Sequence, residues 1–159
     1  MLDRTESLVT LFDTFTGPGA PGAQQVAEVV ADLGWWVTGR RAGNWEEWAN
    51  GDFRGFREAF GPIDSFQVVT VLLEPEEGAD FDELYQRFED GFDQLSAWVQ
   101  DRLGEPTVIS EFDDPQVPIP GQFDRADVWS AEPWSVMASF QHEDKEAPLR
   151  LALWFFRES

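Results

Sequence analysis

The chain has 159 residues, 31 Asp and Glu against 11 Lys and Arg for a formal net charge of -20, and no cysteine. That length implies one domain. The missing thiols exclude disulfides, thiolate zinc centres and cysteine nucleophiles, and the charge repels nucleic acid and anionic lipid.

Asp3 and Glu6 stand where a secretion signal needs bases, and no apolar stretch is long enough to span a bilayer. The expectation is a soluble, cytoplasmic protein. Ser7 to Phe15 fits a helix or a strand and is taken as a helix. Residues 21–33 follow a Gly/Pro-rich turn and set Val26, Val29, Val30 and Leu33 at helical spacing, with Gly34 as the stop. Residues 35–38 read as a short strand. Between Asn44 and Phe60 the aromatics Phe53, Phe56 and Phe60 recur at i, i+3 and i+7, interrupted upstream by Asn50-Gly51. This spacing predicts two short helical turns, or a loop and a helix.

Residues 66–73 are β-branched and apolar on both faces, as in an internal strand. From Asp80 the period changes to 3.6, and Phe81, Leu84, Tyr85, Phe88, Phe92, Leu95, Trp98, Val99 and Leu103 form one apolar stripe. Asp80 with Glu83 makes a capping box and Gly104 and Pro106 mark the end, so residues 80–103 form one helix whose weak point is Gly91. Residues 107–110, 126–129, 134–141 and 149–156 read as strands, the last two as a hairpin. The fold class is α+β: a single domain of residues 1–159 with an antiparallel sheet built mainly from the C-terminal half. It packs against the long helix 80–103 and shorter N-terminal helices.

Catalytic patterns are few. The single histidine, His142, has no nucleophile-elbow serine to serve and reads as an ordinary surface residue. The loop Gly17 to Gly22 contains prolines and lacks the Lys-Ser/Thr ending of a phosphate loop. Asp80-Phe81-Asp82-Glu83 lacks the central Gly and terminal Glu of a calcium loop, and Glu111, Asp113 and Asp114 are solvated loop acids or a weak divalent-ion site. No enzymatic activity, cofactor or metal is expected.

What stands out is the distribution of charge. Spread evenly over about 8,000 Å², the acids would lie about 16 Å apart, beyond the ~8 Å Debye length. A functional acidic surface therefore requires clustering. Residues 74–93 hold nine acids against Arg87, a net of -8. On the helix, Asp82, Glu89 and Asp93 fall on one line with Glu83 and Asp90 beside it, opposite the apolar stripe. The alternative is a solvated outer face. Residues 111–122 contain three prolines, which favour an extended backbone. With their acids and exposed apolar residues they read as a rigid binding loop, or as cover for a sheet edge.

The helix ending in Leu103-Gly104-Glu105-Pro106-Thr107, then short strands with Trp129, then the apolar strand Leu149 to Phe156, resembles small acidic actinobacterial proteins encoded beside polymorphic or type VII-secreted toxins. These act as immunity proteins. The resemblance spans about residues 80–156 and carries over no functional residues. It implies an immunity-type inhibitor that neutralises a toxin by stoichiometric binding, and a toxin that handles nucleic acid presents the basic cleft a polyanion can fill. The expected partner is a protein with a basic surface, with no direct nucleic-acid or membrane binding. The candidate contacts are Asp82, Glu83, Glu89, Asp90, Asp93, Glu111, Asp113 and Asp114. A nucleic-acid mimic, which would space its acids like phosphates, and a secretion chaperone, which would use the aromatics from Trp45 to Phe60, are the alternatives.

Overall fold

A computed structural model describes residues 6–42, 45–111 and 117–158, the side chains of 39–42 excepted. Two helices, α1 (Glu6–Thr16) and α2 (Val26–Asp32), precede strands β1 (Trp36–Ala42), β2 (Trp45–Asn50), β3 (Phe53–Phe60) and β4 (Ile63–Leu73). The long helix α3 (Phe81–Leu103) precedes β5 (Val108–Glu111), β6 (Arg125–Ala131), β7 (Trp134–Gln141) and β8 (Leu149–Glu158). The eight strands form one antiparallel sheet in the order β1-β2-β3-β4-β8-β7-β6-β5. Each half of the chain is thus a helical segment followed by a four-stranded meander, and the two meanders meet at their last strands.

The long helix stands where the sequence placed it. Asp80 accepts a hydrogen bond from the Glu83 amide at 3.2 Å, and Gly104 closes the helix with φ 83° while its amide donates to the Gln100 carbonyl. The helix runs unbroken through Gly91, where a Cβ would lie 2.7 Å from Leu151 Cδ1 on β8. Glycine is needed there for close approach of helix and sheet. The Trp129 indole donates to the Gly104 carbonyl at 2.9 Å, tying the helix end to β6.

Residues 45–60 are a correction: they form β2 and β3, not helical turns. Asn50 pairs with Phe53 across a two-residue turn in which Gly51 has φ 58°, a positive value that glycine tolerates. The aromatic spacing misleads because both faces of this hairpin carry rings. Phe53 and Trp48 are buried in the cluster on the helix side, while Phe56 packs at a tilt against Trp45 on the opposite face. Because these residues are strands, the sheet draws equally on the two halves of the chain rather than mainly on the C-terminal one.

Apolar residues fill both sides of the sheet. On the helix face Phe12, Phe15, Trp134, Phe155, Phe92 and Val99 belong to one cluster, with the Phe15 and Phe155 rings 4.7 Å apart. On the far face Met137, Trp154 and Phe156 are covered by Ile119, 2% exposed, and Phe123. In the second half of the proline-rich loop Ile119 is buried and Val117 packs partly against the same cluster, while Pro118, Pro120, Gly121 and Gln122 stay exposed, so this stretch covers the core with one side and faces solvent with the other. It lies on a sheet face, and residues 112–116 fall outside the described chain.

A candidate interaction site at the acidic end of the long helix

The last rung of the β4–β8 ladder pairs Leu73 with Leu149. The chain leaving β4 and the β7–β8 turn therefore emerge side by side. Residues 74–80 turn at Gly78 and enter α3, so Glu74, Glu76, Glu77, Asp80, Asp82 and Glu83 gather within a few residues of the helix start. Acids are favoured there by the positive end of the helix dipole. Glu74, Glu76, Glu77, Asp80 and Glu83, with Arg87 as the only base, line a hollow of about 340 Å³.

The β7–β8 turn adds Glu143, Asp144 and Glu146, with Lys145 as its only base. Asp144 Oδ1 accepts from the amides of Glu146 and Ala147 at 2.8 and 3.0 Å, which holds the turn in shape. His142 anchors this turn to the helix. The Tyr85 hydroxyl lies 2.6 Å from His142 Nδ1, and the Phe81 and His142 rings stack 5.6 Å apart at 20°. A second hollow of about 400 Å³ opens between Tyr85, Gln122, Asp124, His142 and the turn residues Glu143, Asp144 and Lys145.

Two groups in this hollow show the effect of partial burial. Burial raises the pKa of Asp124 against the His142 amide, which donates to its Oδ2 at 2.7 Å. Burial also raises the Tyr85 pKa, followed by the nearby charge of Asp124. Both shifts follow from withdrawing a charge from water. His142 is half-buried, with its Nε2 enclosed and unpartnered, so it fastens the helix to the turn and is not an ordinary surface residue. Sequence reasoning missed this because Tyr85 lies 57 positions away.

The sequence-derived site residues separate into two groups. Asp82 and Glu83 are exposed at the acidic end. Asp90 is exposed farther along the helix and accepts from Gln86 at 3.0 Å. Glu89 and Asp93 do not point away from the sheet: Arg125 of β6 donates to them at 2.7 and 3.2 Å, and its guanidinium lies 4.4 Å over the Phe92 ring. Burial by itself lowers the Arg125 pKa, and the hydrogen bonds and charges of Glu89 and Asp93 more than offset it. Glu111, at the end of β5, is the register neighbour of Arg125. The line through Asp82, Glu89 and Asp93 is thus broken, since two of its three acids clasp the flank of the sheet. Asp113 and Asp114 lie outside the described residues.

Among the described residues no group of three His, Cys, Asp or Glu side chains is arranged to hold a metal ion. Nor is any helix there long and apolar enough to cross a membrane. No protein-family model, curated protein or solved structure matches the chain.

Proposed function

We propose that this protein works in the cytoplasm as a non-enzymatic, immunity-type inhibitor that neutralises a toxin by stoichiometric binding through its acidic end. One observation carries the reading. The start of α3 and the β7–β8 turn hold nine acids, seven of which line two hollows, with Arg87 and Lys145 as the only bases of those segments and Arg150 of β8 interacting with Glu143. A cleft that binds nucleic acid must be basic, so an acidic body with concave relief complements it in charge and can occlude it. Inhibition of this kind needs no chemistry from the inhibitor.

The test is capture of the partner on the immobilised protein at low salt, followed by titration of the partner's activity. The reading predicts a basic partner, one-to-one inhibition, and loss of both when Glu76, Glu77, Asp82 and Glu83 are changed to their amides. A partner captured equally well by that variant contradicts it.

A further inference from the structure

The sheet has two outer strands, β1 and β5. An outer strand presents unpaired N–H and C=O groups, and short length is one of the ways such an edge is protected. β5 has four residues, whereas β1 has seven. On β1 two consecutive apolar side chains are exposed, Trp36 at 53% and Val37 at 36%. Neighbours along a strand point to opposite faces, so at positions 36 and 37 both faces of this edge are apolar, with the polar Thr38–Glu47–Arg54 contacts beside Trp36. The Trp45–Phe56 ring pair, 5.7 Å between centroids, lies on the same side of the sheet as Trp36.

Charge distinguishes what can dock here. Residues 36–60 contain four bases, Arg40, Arg41, Arg54 and Arg57, and four acids, Glu46, Glu47, Asp52 and Glu58, so this region is neutral in a chain of net charge -20. The acidic helix packs over β6, β7 and β8, on the other half of the sheet. Self-repulsion, which would keep two copies of so acidic a protein apart, is locally absent at β1. A basic partner gains nothing from a neutral edge.

We propose that β1 pairs antiparallel with β1 of a second copy about a two-fold axis, joining two eight-stranded sheets and covering Trp36 and Val37. A two-fold centred on Gly39 sets backbone position 36 opposite 42 and position 37 opposite 41. The pairing of β1 with β2 is irregular between Val37 and Arg41, and the ends of the strand carry the new ladder. This association is independent of partner binding at the acidic end.

Sedimentation equilibrium tests it on the whole chain. At about 100 µM the wild type should have twice the mass of the 18.1 kDa chain. Raising salt to about 1 M should preserve or strengthen the dimer, because only the distant net repulsion is screened. Binding through the acidic end must instead weaken, so failure of one proposal is distinguishable from failure of the other. Trp36→Glu should raise the dissociation constant at least about tenfold. Ile109→Glu, at the 62% exposed position on the opposite edge, should leave it unchanged. If Trp36→Glu lowers the melting temperature, Val37→Lys must reproduce the loss of dimer. A wild type that stays monomeric, a dimer indifferent to both β1 variants, or a dimer lost in Ile109→Glu overturns the proposal.

Discussion

Changing Glu89 and Asp93 to their amides separates two roles for the acids of α3. Both carboxylates hold Arg125 Nη1, at 2.7 and 3.2 Å, and the pairs are partly shielded, with Arg125 about a quarter exposed. Ion pairs at exposed sites contribute about 0.2–1 kcal/mol each. The Glu89 bond is short and lies at the upper end, while Asp93, 63% exposed at 3.2 Å, adds little, so the double variant should lose about 1 kcal/mol. The contact of Arg125 with Phe92 survives the change and limits the loss. Neutralising Glu76, Glu77, Asp82 and Glu83 is the comparison. It removes no ion pair among the described residues and relieves mutual repulsion, offset by the lost interaction of Asp82 and Glu83 with the helix start. Its stability should stay within about 0.5 kcal/mol of wild type. Urea unfolding followed by tryptophan fluorescence measures both, and about 1 M salt should shrink the Glu89/Asp93 effect by screening. A Glu89/Asp93 variant with the wild-type midpoint, or a Glu76/Glu77/Asp82/Glu83 variant losing more than about 1 kcal/mol, refutes this division.

Further outcomes follow from the core. Asp127 is buried, its Oδ2 accepts from Ser96 at 2.6 Å while its Oδ1 has no partner, and burial raises its pKa. A carboxyl with a raised folded-state pKa favours folding below its unfolded value and loses that contribution as pH rises through the folded value. Asp127→Asn should therefore be more stable than wild type at pH 7 in urea unfolding, with the difference vanishing below about pH 4; an advantage that persists into acid would contradict the titration. Gly91→Ala should destabilise in thermal melts despite a helix-propensity gain of about 1 kcal/mol, because its Cβ meets buried Leu151; a raised melting temperature would show that the helix can lift. Ile119→Ala should cost about 2–4 kcal/mol by denaturant titration, whereas an exposed loop residue would cost almost nothing.

Legibility in the sequence tracked how local the signal was. The boundaries of α3 could be read to within a residue because its stripe lies inside it and its Asp80 cap and Gly104 stop lie immediately beside it. The β7–β8 hairpin was equally visible, since both strands are apolar around a charged turn. Residues 45–60 were not. A strand with rings on both faces loses the period-2 alternation, and the Asn50-Gly51 turn was a stronger guide than the aromatic spacing. The acidic concentration was visible as a count over residues 74–93, but its division was not. Arg125, which claims Glu89 and Asp93, is more than 30 positions away, and the acids of the β7–β8 turn join the helix start through the Leu73–Leu149 pairing and the contacts of His142 with Tyr85 and Phe81.

The central claim is that the acids at the start of α3 and in the β7–β8 turn guide this protein to a basic partner. The most direct measurement is the association rate of the captured partner with wild type and with the Glu76→Gln, Glu77→Gln, Asp82→Asn, Glu83→Gln variant across a salt series. Charges at the rim of an interface act on encounter, so the variant should associate about tenfold more slowly at low salt with nearly unchanged dissociation. The two rates should converge near 1 M salt, where the Debye length is about 3 Å. Equal association rates at every salt concentration would show that the acids only solvate the surface.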